Sequence, residues 1–86
     1  MTTVQVQLFG AFSDLVADGR IEVDVAGDRI ADLRQALREL LPQRWPAFRA
    51  GLLDYSAFAD QERVLRDHEA IPDDRRVAIL PPVSGG

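Results

Sequence analysis

An α+β fold, with a mixed sheet of four to five strands packed on one main helix, follows from three observations. Two short segments near the start alternate apolar and polar residues, the signature of half-buried strands. A single longer segment repeats its leucines at helical spacing. A nearly continuous apolar run then precedes a pair of prolines at the end. One amphipathic helix needs one sheet face to cover its apolar stripe, which is a two-layer arrangement.

Val4, Val6 and Leu8 alternate with Gln5 and Gln7, giving a first strand over about residues 3–9. Ser13 to Ala17 suits a short helical turn, and Asp18-Gly19 is a turn signal. Ile21, Val23 and Val25 alternate with Glu22 and Asp24 as a second strand, close enough to the first for an antiparallel hairpin. Ile30, Leu33, Leu37, Leu40 and Leu41 form one helical face, with Arg34, Arg38 and Glu39 on or near the other. Asp28 is the better N-cap, since Arg29 offers no acceptor to the first amides, and Pro42 is expected to stop the helix. Trp45 to Leu53 reads as a short second helix opened by Pro46, with Trp45, Phe48 and Leu52 as satellite core. Tyr55 to Ala59 and Arg63 to Leu65 read as third and fourth strands joined by a turn at Asp60-Gln61. After the turn-rich Ile71-Pro72-Asp73-Asp74, the run Arg76 to Leu80 suits a strand that is central or covered on both faces.

Composition narrows the function. With 86 residues, one domain with one modest core is expected. There is no cysteine and one histidine, His68, so thiol catalysis, disulfides and a protein-built metal site are not expected. The net charge of -4 argues against nucleic-acid binding. All ten basic residues are arginine, so no lysine amine is available to accept an acyl group. No apolar run approaches the roughly 20 residues of a membrane span, and Met1-Thr2-Thr3-Val4 lacks signal-peptide character. A cytoplasmic location without membrane contact is the expectation. His68 reads as a surface residue without a role, and Arg75-Arg76 as a solvated turn.

The chemistry is concentrated in the tail. Residues 1–81 are expected to form the domain and residues 82–86 a flexible end. Pro81-Pro82 lack ladder donors and favour extended geometry, so they lift the chain off the sheet as a stiff spacer. Val83-Ser84 follow, and Gly85-Gly86 close the sequence without side-chain bulk, able to thread a narrow channel. A carboxylate on Gly86 is a poor electrophile, but a mixed anhydride with adenylate makes its carbonyl attackable. Sulfur transfer to that carbonyl leaves a thiocarboxylate, a far better nucleophile. A diglycine alone is a weak signal, since chain ends are often frayed. Here it coincides with an apolar strand, a proline lift and a matching order of elements.

The run Ala78-Ile79-Leu80-Pro81-Pro82-Val83-Ser84-Gly85-Gly86 resembles the C-terminus of the small subunit of molybdopterin synthase, one of the ubiquitin-like β-grasp sulfur carriers related to the thiamine sulfur carrier. Leu8-Phe9-Gly10, Ile30-Ala31-Asp32-Leu33-Arg34 and Ile71-Pro72-Asp73-Asp74 are weaker matches. The resemblance implies that a ubiquitin-activating-like adenylyltransferase uses ATP to adenylate Gly86, and that a persulfide donor protein supplies sulfur. The loaded tail then enters the large subunit of molybdopterin synthase and delivers sulfur to cyclic pyranopterin monophosphate, in a heterotetramer with two copies of each chain. It implies Phe9, Leu80, Pro81, Pro82, Val83 and Ser84 as partner-contacting residues, with Phe9 and Leu80 as readily core as interface. It implies no resident cofactor and no independent enzyme activity. Three departures stand out: Asp60-Gln61 in place of an asparagine-glycine turn, Asp74-Arg75-Arg76 in place of Gly-Asp-Glu, and Ile79-Leu80 in place of an aromatic pair.

Three other readings remain open from sequence. The same chemistry could serve thiamine, cysteine or tRNA thiolation. The chain could be a modifier joined through Gly86 to lysines of other proteins. It could also be a β-grasp binding module whose tail is inert.

Overall fold

The first strand, β1 (Thr2–Leu8), sits beside β2 (Arg20–Val25) and β5 (Arg76–Leu80) in a five-stranded sheet of order β2-β1-β5-β3-β4. The remaining elements are α1 (Ile30–Arg44), α2 (Gly51–Tyr55), β3 (Ala57–Ala59) and β4 (Val64–Leu65). The computed structural model describes residues 2–10, 12, 16, 18–46 and 51–81, with Leu52 described in its backbone alone. Strands β1 and β2 form the expected antiparallel hairpin pair, with Val4 opposite Val23 and Val6 opposite Ile21. Strand β5 runs parallel to β1, Val6 opposite Val77 and Leu8 opposite Ile79. A parallel pair needs a crossover connection, and the segment carrying α1 supplies it. Strands β3 and β4 pair antiparallel at the other side, β3 against β5.

Period two decides what each strand buries. Val4, Val6 and Leu8, then Ile21, Val23 and Val25, then Val77 and Ile79 all face one way into the core. Ile30, Leu33, Leu37 and Leu41 of α1 meet them, all fully buried, as the leucine spacing requires. Phe12, Leu53, Phe58, Leu65 and Ile71 complete this cluster, with Leu40 and Trp45 partly buried against it.

Several boundaries differ from the sequence reading, each for a local reason. Asp28 does not cap α1; Arg29 occupies the N-cap position in extended conformation. Residues 28–29 are drawn into an antiparallel bridge with Ala70, and the Asp28 carbonyl accepts the Ile71 amide at 2.7 Å. The first helical amides are satisfied by backbone instead: Ile30 donates to the Glu69 carbonyl and Ala31 to that of Asp67, both at 2.9 Å. Asp32 completes the cap by accepting the Arg29 amide at 3.1 Å.

Pro42 lies inside α1, which continues to Arg44. A proline there removes one helical bond, the one residue 42 would donate to Arg38, and the turn still closes with Trp45 donating to the Leu41 carbonyl at 2.8 Å. Trp45 is thus the C-cap of α1 rather than the start of a second helix. Helix α2 extends to Tyr55, so β3 begins at Ala57, two residues later than expected. Leu53 of α2 is buried, and the expectation for Leu52 falls on a side chain outside the described set. The expectation for Phe48 and that for Ser13 to Ala17, Val16 apart, fall on residues outside the described set. Strand β5 is central, as its apolar run suggested, but only one of its faces is covered: Ala78 and Leu80 are half-buried on the other.

Arg34 does not lie on a solvated face. Its guanidinium donates to the carbonyls of Leu53 and Ser56 (2.9 Å for Ser56), pairs with Asp67 at 2.9 Å, and stacks 4.9 Å from the centre of the Phe58 ring. It ties α1, the end of α2 and the loop after β4 together.

Candidate functional site: the root of the tail

Both neighbours of β5 reach the end of that strand at Leu80. On one side Leu80 pairs with Ala57 of β3. On the other, the Phe9 amide donates to the Ile79 carbonyl at 3.3 Å, linking the β1 side to β5. Gly10 follows with φ +58°. The Pro81 ring lies against Gly10 so closely that a Cβ on residue 10 would stand 2.5 Å from Pro81 Cγ. Pro81 is therefore seated on bare backbone.

The expected partner-contacting residues divide accordingly. Phe9 is 40 % exposed and Leu80 is half-buried, so neither is closed into the core, and both flank the half-buried Pro81. The structure thus brings Phe9, Leu80 and Pro81 together at one end of the sheet. Pro82, Val83, Ser84, Gly85 and Gly86 lie outside the described residues, and with them the expectation of a flexible tail. Tyr55, 79 % exposed, was not singled out as a candidate in the sequence reading. It lies two residues before Ala57, at the same end of the sheet, because β3 runs antiparallel to β5. The signal was present in the sequence as a tyrosine at the end of a short segment, but the antiparallel pairing that brings it to the exit was not.

Below the exit, the uncovered face of the sheet carries Gln5 and Gln7 of β1, Arg20 and Glu22 of β2, and Arg76 and Ala78 of β5 around an open depression of about 790 Å³. Such a surface offers contact area without enclosing a substrate. Among the described residues no group of three or more His, Cys, Asp or Glu side chains could hold a metal ion. Among them, too, no helix is long and apolar enough to cross a membrane. His68 is exposed.

The perturbed carboxylates serve turns away from the exit. Glu69 is held down to about 2, first by the Arg63 guanidinium at 2.6 Å and then by the Arg66 amide at 2.6 Å. Asp60 is lowered by the amides of Glu62 and Arg63, at 2.7 and 2.8 Å. That arrangement is how Asp60-Gln61 makes its turn without an asparagine-glycine pair: the aspartate side chain accepts the amides that a tighter backbone turn would satisfy.

Comparison with known proteins gives one family and two similar structures. Residues 6–86 match the ThiS family. SAMP1 from Haloferax volcanii superimposes with a TM-score of 0.67 at 24% identity, covering 99% of this chain and 100% of that one. A complex of subunits 1 and 2 of molybdopterin-converting factor from Helicobacter pylori 26695 gives 0.58 at 22% identity, covering 99% of this chain and 100% of the matched chain. At these identities the likeness establishes a common fold, the ubiquitin-like β-grasp, which agrees with the five-stranded sheet and helix described above. No curated protein matches the sequence.

Proposed function

This chain belongs to the ThiS family of ubiquitin-like sulfur carriers, and on that premise we propose that it carries sulfur as a thiocarboxylate on Gly86 for the synthesis of molybdopterin. The observation that carries the reading is the reach of the family match, which runs from residue 6 through the Gly85-Gly86 pair. Supporting it, Phe9, Leu80 and Pro81 stand together and partly exposed where the last strand ends.

In the proposed cycle the Gly86 carboxylate attacks ATP on an adenylyltransferase of the ubiquitin-activating type, forming an acyl adenylate and releasing pyrophosphate. A donor persulfide then adds to the carbonyl and expels AMP. A thiol cleaves the resulting acyl persulfide, becoming part of a disulfide as the thiocarboxylate is freed. With inorganic sulfide as donor, the thiocarboxylate forms directly. In the large subunit of molybdopterin synthase, its sulfur attacks a carbon of cyclic pyranopterin monophosphate and displaces an oxygen from it, and hydrolysis of the resulting thioester returns the Gly86 carboxylate and leaves the sulfur on the pterin. ATP is consumed by the activating enzyme, and this chain holds no cofactor of its own.

The division of labour is physical. Pro82, Val83 and Ser84 span the distance into the partner's channel, and Gly85-Gly86 pass where a side chain would obstruct. The pterin-binding residues belong to the large subunit, so this chain is a substrate-bearing subunit rather than an enzyme alone. The similar structure that pairs two subunits of a molybdopterin-converting factor supports such a partner. We place the assembly in the cytoplasm as a heterotetramer.

Intact-mass measurement tests the reading. Incubation with ATP, the adenylyltransferase from the same source and sulfide should raise the mass by one oxygen-to-sulfur exchange. The loaded protein should then convert cyclic pyranopterin monophosphate when the large subunit is added. No mass change under conditions that load another family member would overturn the carrier chemistry. Loading without conversion would reassign the customer, not the chemistry.

A further inference from the structure

We propose that Gly10 is a positioning residue for sulfur loading: by presenting bare backbone to the Pro81 ring, it sets the direction in which the tail leaves the domain. This inference rests on the carrier function proposed above. Strand β5 ends at Leu80, held on both sides by Ala57 and by the Phe9 amide. Pro81 follows the strand and has no amide to donate to either neighbour. Its ring instead lies over Gly10, where an added Cβ would be 2.5 Å from Cγ and 3.2 Å from Cδ. A proline ring on a fixed φ has little freedom to yield, so residue 10 must lack a side chain or Pro81 must move. Any tilt of Pro81 is carried along the stiff Pro-Pro segment to the terminus, where displacements near 1 Å at a reacting centre can cost about 100-fold in rate.

Gly10 has a second reason to be glycine, its φ of +58°, and the test must separate the two. Gly19 supplies the control. It has a comparable φ of +69°, but a Cβ there would find only the Leu8 carbonyl oxygen, at 3.9 Å. Gly10→Ala and Gly19→Ala therefore share the backbone strain and differ in the contact with Pro81.

The experiment compares the full-length wild type, both single variants and the double variant Gly10→Ala/Pro81→Ala. Melting temperature and loading kinetics with ATP, adenylyltransferase and sulfide are measured for each, and proton NOEs between Gly10 Hα and the Pro81 ring are measured in the wild type. Both single variants should lose melting temperature through the shared backbone strain, with the ring contact adding to the loss in Gly10→Ala. Only Gly10→Ala should lower kcat for loading, by about tenfold or more, with KM little changed because the docking face is intact. The double variant should recover part of that rate while keeping the loss from backbone strain, since the ring contact is relieved although the spacer is reduced to Pro82. Equal kinetics for the two single variants, or no recovery in the double, overturns the positioning role while leaving the carrier reading standing. A wild type that never loads overturns the carrier reading. In that case the NOEs still judge the geometry, and their absence in the wild type refutes the seating of Pro81 on Gly10.

Discussion

Arg75 holds a left-handed backbone, φ 56°, where only glycine is free of strain. The tertiary context enforces it: its amide donates to the Pro72 carbonyl at 2.9 Å, and its own carbonyl accepts the Gln5 amide at 2.8 Å. The turn must close to deliver β5 beside β1, so the chain tolerates the strain. A left-handed residue with a Cβ costs roughly 1–2 kcal/mol. Glycine forfeits about 0.5–1 kcal/mol of that gain through its freer unfolded chain. Arg75→Gly should therefore stabilise the domain by about 0.5–1 kcal/mol, measured by chemical denaturation; a loss of stability would show that the arginine side chain contributes more than its backbone costs.

Between elements, the loop of residues 66–71 does more than join β4 to β5. Its carbonyls cap α1, its Asp67 receives Arg34, and its Glu69 reaches Arg63 at the end of the β3–β4 turn. Glu69 is ionised far more readily in the folded protein than the ordinary 4.5 would allow, its value lying at about 2. A depressed carboxylate contributes stability that is complete above its unfolded value and is lost as pH falls through its folded value. The melting temperature should accordingly drop from about pH 4.5 down to about pH 2. Glu69→Gln should melt lower at neutral pH and show a shallower fall over that interval. Parallel pH profiles for the two proteins would assign the acid sensitivity elsewhere.

The molecule divides into a covered face and an open one, and the proposed docking uses the open one. The core occupies a single layer between α1 and the sheet, and the opposite side of β1 and β5 is more exposed. Phe9 sits where that face meets the tail. Phe9→Ser should change stability by less than about 1 kcal/mol, because the ring is already partly in water. It should weaken association with the large subunit of molybdopterin synthase by about tenfold or more, read by calorimetry, if the ring is one of the few residues that dominate such an interface. Unchanged affinity would remove Phe9 from the docking surface.

Elements whose periodicity is strong were legible from the chain alone. Val4-Val6-Leu8, Ile21-Val23-Val25 and the leucines of α1 bury the faces their spacing dictates, because period and burial are the same constraint seen along one segment. The diglycine pair suggests its chemistry from the residues alone, but it lies outside the described residues and stays a proposal. What escaped the sequence depends on residues far apart in it. Asp28 lost its capping role to the bridge with Ala70, and Arg34 found its carbonyl partners in Leu53 and Ser56. Gly10 met Pro81 because β1 and β5 run parallel and end together. Local pattern reports how a segment meets an apolar layer; which distant backbone atoms compete for its donors, and which ring lands on its glycine, is settled when the strands take their order.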